Sequence, residues 1–432
     1  MSTTQTQDKR RFIISMVMLG SLFFVFGLVT WVNSILVPYF KVACELKSEV
    51  QGYLAQFAFY IAYLVMTIPA SILLGRTGYK KGTLIGLWIL ALGAFMFVPA
   101  ALTRTYGLFL AALFTMGTAL AILQTVANPF VTIIGPIESA AKRISLVGIC
   151  NKFAGILAPL IFSAIVINPQ KEKMDLIQSG ALSAEAKDAA LGDLLRGVIP
   201  PYVVLGIVLI IFGIIFYRSS IQDINPSAGR SETTAGRKSI LSYPYLVLGV
   251  LALFCHLGTQ ALSVNTIIGY AQSTGIQSTA IFPSLTLFCT LLGYTLGIIL
   301  IPRHLSQQTT LKICTCTGLI LSCLVMILPP QLSIWCLVLM GIPNSVIYAG
   351  IWPLAIHDLG KWTNTGSAIL VMALCGSAIF PLIRAAIIDA RPAMEAAAAQ
   401  QFGYWILIPA FAYMVFYAFA GHKFNRWTNK KQ

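Results

Sequence analysis

Charged residues are scarce in this 432-residue chain, in which Asp, Glu, Lys and Arg together make up 10% of the sequence. Soluble domains carry about 25% charged residues, so this shortage excludes an ordinary soluble domain. Hydrophobic residues account for 57%, and the mean hydropathy is +0.82. The composition is that of a protein built into a lipid bilayer.

Paired cysteines are missing, and so are acids within the apolar runs. The nine cysteines include no C-x-x-C pair, which argues against a disulfide framework and a zinc site. None of the 14 Asp and Glu residues lies in the middle of an apolar run, because Asp358 and Asp389 fall near run ends. A membrane enzyme such as a lipid-linked sugar transferase would need a carboxylate or metal cluster at the interface. We therefore predict no enzymatic activity, no metal and no cofactor.

Twelve apolar runs, here called spans 1 to 12, are long enough to cross a bilayer, which takes about 20 residues in a helix. Lipid accepts only helices or closed barrels, and these runs lack the alternation of barrel strands. We therefore predict an all-α membrane protein with twelve transmembrane helices. The spans lie at residues 12–39, 51–75, 83–101, 106–134, 145–168, 199–218, 244–272, 280–302, 310–329, 333–356, 364–388 and 403–421.

The net charge of +15 follows the membrane topology and does not indicate a nucleic-acid partner. With the N-terminus inside, the cytoplasmic segments contain 19 basic and five acidic residues, whereas the external segments contain nine of each. This is the positive-inside bias of membrane proteins. The first apolar run is too long for a cleavable signal. We expect a monomeric protein of the bacterial inner membrane with both termini in the cytoplasm.

The chain divides into two halves of six spans each. Residues 219–240 are polar and rich in Gly, Ser and Thr, as expected of a flexible cytoplasmic linker. The predicted domains are therefore an N-terminal six-helix bundle at 1–218 and a C-terminal one at 241–432. This arrangement resembles that of major facilitator transporters, whose substrate site lies near the bilayer midplane between two pseudo-symmetric halves.

Two short matches between the halves support an ancient duplication. "SLVGICNKFAGILAPLI" (145–161) and "SAILVMALCGSAIFPLI" (367–383) share Ser and Pro-Leu-Ile at an offset of 222 residues. "MGTALAILQTVANP" (116–129) and "MGIPNSVIYAGIWP" (340–353) share Met-Gly and Pro at an offset of 224. Because the offsets are nearly equal and fall in corresponding spans, we predict a repeated six-helix unit.

Polar side chains concentrate in spans 1, 4, 7 and 10, which line the cavity in that organisation, and in span 5 beside them. Amides that hydrogen-bond across packed helices are one interpretation, worth about 0.6–2 kcal/mol each. Their concentration in the cavity spans favours the other interpretation, a substrate site. The residues are Trp31, Asn33, Ser34, Gln124, Asn128, Asn151, Lys152, His256, Gln260, Asn265, Asn344, Tyr348 and Trp352.

The chemistry of this set favours a neutral polyol. Amides both donate and accept hydrogen bonds, which suits vicinal hydroxyls, and aromatic rings offer flat apolar faces to the C–H side of a sugar ring. Carriers of phosphate or dicarboxylates would be expected to place arginines here, but spans 1, 4, 5, 7 and 10 contain none, and Arg384 lies near the external end of span 11. We predict contacts to a monosaccharide from Asn33, Gln124, Asn128, Asn151, Gln260, Asn265 and Tyr348, with Trp31 or Trp352 stacking on the ring.

Three segments carry a more specific resemblance. "FFVFGLVTWVNSILVPYFK" (23–41), "LQTVANPFVTIIGPIESAAKRIS" (123–145) and "GICNKFAG" (148–155) resemble the fucose–galactose–glucose–mannose branch of the major facilitator superfamily. The resemblance covers nearly the whole chain and is strongest in the N-terminal half. "GRTGYKKG" (75–82) stands at the loop motif between spans 2 and 3, with Gly75 in place of the usual aspartate.

The resemblance also suggests how this chain differs from its relatives. Fucose permeases of that branch have an aspartate at the position of Ser34 and a glutamate at that of Gln124, which serve proton and sugar binding. Gln124 is similar instead to the glutamine of the glucose and galactose members. Many relatives have a glutamate where Gln260 stands. The resemblance implies an inner-membrane hexose carrier for glucose, galactose, mannose, fucose or an N-acetylhexosamine.

Energy coupling is left open by these substitutions. Proton symport usually needs an ionisable group inside the membrane, and the candidates are Lys152 and His256. Lys152 is alternatively a structural lysine that extends toward the cytoplasm, and His256 a hydrogen-bonded helix residue. A facilitator or weakly coupled carrier is favoured over proton symport, and sodium symport is favoured least. There are two alternatives. One is a carrier for an anionic sugar acid or small carboxylate paired with Lys152, and the other is a transporter-derived sugar sensor.

Overall fold

The protein is described by a computed structural model that covers residues 2–133, 140–180, 182–219, 239–301, 305–359, 362–425 and 427. For residues 2–11, 33, 128–129, 132–133, 140–142, 144–145, 178 and 363–364 only the backbone is considered. These ranges contain 19 α-helices and no β-strand, as an all-α membrane protein requires. The helices are α1 Ser2–Trp31, α2 Asn33–Ala43, α3 Glu49–Phe95, α4 Phe97–Thr103, α5 Tyr106–Ile133, α6 Ala140–Phe162, α7 Lys171–Ser179, α8 Ala184–Gly197, α9 Ile199–Arg218, α10 Pro244–Asn265, α11 Ile267–Ser273, α12 Ile281–Leu300, α13 Gln307–Ile327, α14 Pro330–Leu339, α15 Gly341–Ile356, α16 Thr363–Met372, α17 Gly376–Asp389, α18 Ala396–Phe402 and α19 Leu407–Phe419.

The chain forms two compact units, Met1–Ala228 and Gly229–Gln432, called unit 1 and unit 2 below. The predicted linker at 219–240 surrounds the point of division. Its residues 220–238 lie outside the described residues, so the predicted linker and domain limits stay a prediction.

Eleven helical segments of the described residues are long and apolar enough to cross a membrane. One of them, Glu49–Thr103, has 55 residues, or about 80 Å of helix against about 30 Å of hydrocarbon. It contains both span 2 and span 3, which are separated at Gly78, where φ is 76° and ψ is 171°. Glycine adopts this conformation without steric cost. Counted on either side of that break, the segments correspond to the twelve predicted spans, and the predicted loop at 75–82 is a one-residue turn.

The helices of each unit pack in the same pairs. In unit 1, span 1 packs on span 5 (α1 on α6), span 2 on span 4 (α3 on α5) and span 3 on span 6 (α3 on α9). In unit 2, span 7 packs on span 11 (α10 on α17), span 8 on span 10 (α12 on α15) and span 9 on span 12 (α13 on α19). Each pair of unit 2 is a pair of unit 1 shifted by six spans. The packing therefore supports the predicted repeat.

The Met-Gly match between the halves has a physical basis. A Cβ atom added at Gly117 in span 4 would collide with the backbone oxygen of Phe59 in span 2. A Cβ atom added at Gly341 in span 10 would collide with the backbone oxygen of Thr286 in span 8. Both glycines let two helix backbones approach closely, as small residues do in membrane helix pairs.

We expect Gly117→Ala to lower the stability of the protein by about 1–3 kcal/mol, because the new methyl group must push two helices apart. Thermal unfolding in detergent measures the effect. Gly107→Ala on the same helix is the matched control, because nothing lies within 4 Å of a Cβ atom there. Equal melting temperatures for the two variants would contradict the close approach.

Spans 1 and 7, which are equivalent in the repeat, each have a one-residue irregularity next to a candidate site residue. In span 1 it falls at Val32, between α1 and α2, and the Ser34 hydroxyl donates to the Trp31 carbonyl at 2.8 Å. In span 7 it falls at Thr266, between α10 and α11, directly after Asn265. Helical hydrogen bonds continue across both positions, from Leu36 N to the Val32 oxygen and from Tyr270 N to the Thr266 oxygen.

A pair of short helices, which the sequence analysis did not predict, follows span 5. α7 and α8 are joined by a turn in which Gly180 has a φ of 70° and Ser183 caps α8. Ion pairs tie α8 to unit 1: Lys187 to Glu45 and Asp188 to Arg104, each at 2.6 Å. The helices are part of unit 1 and not a free loop.

Candidate functional site

Lys152 and Trp31 form a buried contact in unit 1. The Lys152 Nζ atom lies 4.4 Å from the centroid of the Trp31 ring, and the two side chains are 8% and 5% exposed. The ammonium group therefore lies inside unit 1 against an aromatic face and does not extend to the surface. One face of Trp31 is occupied by Lys152, and the indole Nε1 has no hydrogen-bond partner among the described residues.

Asn151 holds span 5 against span 1. Its Nδ2 atom donates to the backbone oxygen of Phe23 at 3.2 Å. A Cβ atom added at Gly27 would collide with the backbone oxygen of Asn151, so the two helices are in close contact there. The contact places Asn151 in the role of interhelical hydrogen bonding, with its side-chain oxygen still able to accept.

Gln124 bonds to a tyrosine of span 2. Its Nε2 atom donates to the Tyr63 hydroxyl at 2.9 Å, and the Tyr63 ring stacks on Tyr60 at 6.3 Å between centroids. The bond fixes the amide orientation and leaves the second N–H and the carbonyl oxygen of Gln124 to bind another polar group. Tyr63 was missed by the sequence analysis, because aromatic residues of apolar spans give no signal of their own.

The side chains of two candidates, Asn33 and Asn128, lie outside the described residues. Their backbones are helical: Asn33 is the first residue of α2, and Asn128 is in α5. Asn128 follows Gln124 by four residues, so the two positions share one face of the helix. Their predicted contacts stay a prediction.

Tyr348 and Trp352 stack on each other in unit 2. Their ring centroids are 5.5 Å apart at an interplanar angle of 24°. The His256 ring of span 7 lies 6.5 Å from the Tyr348 ring and is 1% exposed. Asn344, Tyr348 and Trp352 are spaced by four residues in α15, so they line one helix face. This face gives unit 2 an aromatic platform next to an amide.

The three candidates of α10 do not all share a face. His256 and Gln260 are four residues apart and lie along the same side of the helix. Asn265 lies about 140° further round the helix than Gln260, at 100° per residue, and is the last residue of α10. Asn265 therefore stays a predicted contact by its position at the end of α10 and not by a helix face shared with Gln260.

Two buried amides of unit 2 are unsatisfied. Asn265 and Asn344 are each 1% exposed, and neither the Nδ2 nor the Oδ1 atom of either has a hydrogen-bond partner among the described residues. A buried amide without partners costs about 1–3 kcal/mol. Such groups are expected where a polar ligand or water completes the hydrogen bonds.

The buried side chains of the candidate site are either positively charged or neutral. No Asp or Glu is among the buried side chains that the structure describes, whereas Lys152 and Arg384 are. The same residues contain no group of three His, Cys, Asp or Glu side chains that could hold a metal ion. Within each unit the amides and rings can bind hydroxyl groups, and the ionisable candidates are Lys152 in unit 1 and His256 in unit 2.

Known proteins resemble this chain along most of its length. The model of the Major Facilitator Superfamily matches residues 19–381. A glucose/galactose transporter of Brucella abortus is 31% identical over 432 residues, 97% of each chain. The L-fucose-proton symporter of Escherichia coli is 30% identical over 434 residues, 98% of this chain and 96% of that one.

The fold agrees with a solved structure as well. The crystal structure of the Escherichia coli fucose:proton symporter FucP has a TM-score of 0.71 at 27% identity, covering 94% of this chain and 98% of that one. The predicted fold class, twelve spans in two six-helix bundles of a multi-pass membrane protein, is confirmed. With a family model matched over most of its length and relatives of similar size, the chain belongs to the Major Facilitator Superfamily.

Proposed function

We propose that this protein is a secondary transporter that moves a neutral monosaccharide across the bacterial inner membrane by alternating access. The relatives named as a glucose/galactose transporter and an L-fucose-proton symporter support a hexose as substrate. They are named as transporters, in agreement with the prediction that the chain is not an enzyme.

The observation that carries the proposal is the pair of unsatisfied amides, Asn265 and Asn344. Each can donate and accept at once, which matches adjacent hydroxyls of a sugar. A hydrocarbon substrate would leave them unpaired, and a phosphorylated one would call for arginines in their place. A neutral polyol satisfies the amides without bringing a charge into the membrane.

The proposed sugar contacts are those of the sequence analysis together with Asn344. Gln124 offers its remaining N–H and carbonyl oxygen, since Tyr63 takes one hydrogen. Trp31 and Trp352 each have one face in contact with another side chain, Lys152 and Tyr348 respectively, so a sugar would stack on the opposite face. Asn33, Asn128, Asn151, Gln260 and Asn265 complete the proposed polar set.

For energy coupling we propose downhill or weakly coupled transport. The described spans contain no buried carboxylate, which is the usual proton acceptor of such carriers. Proton symport through Lys152 or His256 is the second candidate, and the Escherichia coli relative named a proton symporter favours it. A sodium site would have to use amide and carbonyl oxygens alone, which are weaker ligands without a carboxylate, so sodium symport ranks last.

The remaining proposals concern the setting of the carrier. Both termini face the cytoplasm, a proposal that the excess of basic residues in the predicted internal segments supports. The protein acts as a monomer. No nucleic acid takes part, and the lipid bilayer surrounds the spans.

A carrier of anionic sugar acids is the alternative that Lys152 raises, because no ion pair of the described residues includes it. Thermal unfolding of the purified protein with a panel of ligands separates the two substrates, since a ligand far above its dissociation constant stabilises the folded state. We expect glucose, galactose, mannose, fucose or N-acetylglucosamine to raise the melting temperature and gluconate or glucuronate to leave it unchanged. Stabilisation by the acids alone would overturn the proposal.

A transporter-derived sensor would bind the sugar without moving it. Counterflow of labelled sugar in proteoliposomes distinguishes the two, because it requires a complete exchange cycle but no ion gradient. We expect counterflow with every sugar that stabilises the protein. Binding without counterflow would assign the chain to the sensors.

A further inference from the structure

Arg384 is a fully buried cation at the external end of unit 2. Its side chain is 0% exposed, and its guanidinium carbon lies 4.1 Å from the centroid of the Tyr404 ring. Nη2 donates to the backbone oxygen of Gln400 at 2.9 Å and to its Oε1 at 2.7 Å. The guanidinium is thus positioned on two sides, by a ring face and by Gln400.

The other two nitrogens are unsatisfied. Nε and Nη1 of Arg384 have no hydrogen-bond partner among the described residues. Arginine keeps its positive charge in proteins, and burial of an ion without a counter-charge is strongly unfavourable. A ring face offsets only part of that cost. A negative charge next to the Arg384 guanidinium would therefore be stabilising.

In the described part of unit 2, no ion pair joins Arg384 to an acid. From residue 239 onward the sequence contains three acids, Asp358, Asp389 and Glu395, and all three are among the described residues. The ion pairs among the described residues all lie in unit 1.

We propose that Arg384 binds a small monovalent anion of the chloride class at Nε and Nη1. One anion neutralises one guanidinium, whereas a dianion such as sulfate would bring an excess charge into the membrane. Space is limited, because a Cβ atom added at Gly403 would come within 2.8 Å of Arg384 Cγ. The neighbouring Thr266 and Tyr404 hydroxyls hydrogen-bond to each other at 2.7 Å, so the site lies next to a contact between span 7 and span 12.

The test uses the full-length protein in detergent, with sodium gluconate replaced stepwise by sodium chloride at constant ionic strength. We expect a saturable rise in melting temperature of about 2–4 °C, reproduced by bromide and not by sulfate. Arg384→Gln should abolish the response. Arg391→Gln is the matched control, since Arg391 also stacks on a ring, that of Phe402 at 4.1 Å, but is not fully buried, and it should keep the response.

Crystals of the wild-type protein grown in bromide provide the second measurement, which does not depend on the folding of a variant. Anomalous density is expected next to the Arg384 guanidinium. Equal melting temperatures in chloride and gluconate, a chloride response that survives in Arg384→Gln, stabilisation by sulfate alone, or no anomalous density at Arg384 would each overturn the proposal. None of these outcomes depends on which sugar the protein carries.

Discussion

Asn344→Leu should weaken sugar binding about 10- to 100-fold while leaving the ligand-free protein at least as stable as the wild type. The loss in affinity corresponds to one or two hydrogen bonds, about 1–3 kcal/mol. The ligand-free protein gains because a buried amide without partners is replaced by an apolar side chain of similar size. Isothermal titration of the sugar and thermal unfolding without it measure the two effects.

Asn151→Leu is the comparison for that variant, since the Asn151 amide donates to the Phe23 carbonyl. We expect Asn151→Leu to lower the stability of the ligand-free protein, because it leaves that carbonyl without its partner. The two asparagines should thus move stability in opposite directions. A loss of stability in Asn344→Leu with unchanged sugar affinity would assign Asn344 to helix packing instead.

Lys152→Met should raise the stability of the ligand-free protein by about 1–3 kcal/mol and lower sugar counterflow about tenfold. The burial of an unpaired ammonium group costs several kcal/mol, and the contact with Trp31 returns about 2 kcal/mol. Methionine keeps the apolar stem on the ring and removes the charge. A stabilising substitution that costs activity is typical of a residue kept for function.

Lys312→Met is the matched control, because the Lys312 Nζ atom also lies over a ring, that of Phe419 at 5.0 Å, but its side chain is only half-buried. Both the stability and the counterflow of this variant should stay close to wild type. If Lys152→Met were less stable than the wild type and still transported, the lysine would be a structural residue.

Much of the fold could be predicted from the sequence because lipid leaves few choices. Each apolar run of bilayer length had to be a helix, and the charges between runs set the expected orientation. The repeat could be predicted because Gly117 in unit 1 and Gly341 in unit 2 each allow two helix backbones to approach closely. α7 and α8 were missed because their short amphipathic pattern is weak beside the spans, although Ser183 and Gly180 are signals for a helix start and end.

The sequence predicts which residues form the candidate site, but it does not predict which side chains they contact. Hydropathy exposed Gln124 and Lys152 as exceptions in apolar helices, but their partners Tyr63 and Trp31 are ordinary residues of such helices. Arg384 was seen only as a charge near a span end, and its complete burial depends on the packing of Gln400 and Tyr404 around it. Periodicity alone would have separated Asn265 from Gln260, since the two are five residues apart.

The central claim is that amides of the membrane spans bind a neutral sugar, and the affinity of Gln124→Ala for that sugar tests it most directly. We expect the dissociation constant of the hexose that stabilises the wild type best to rise up to about tenfold, as the loss of about 0.5–1.5 kcal/mol implies. Tyr63→Phe, which removes only the hydroxyl that accepts from Gln124 Nε2, should change it less. An unchanged dissociation constant in Gln124→Ala would contradict the proposed site.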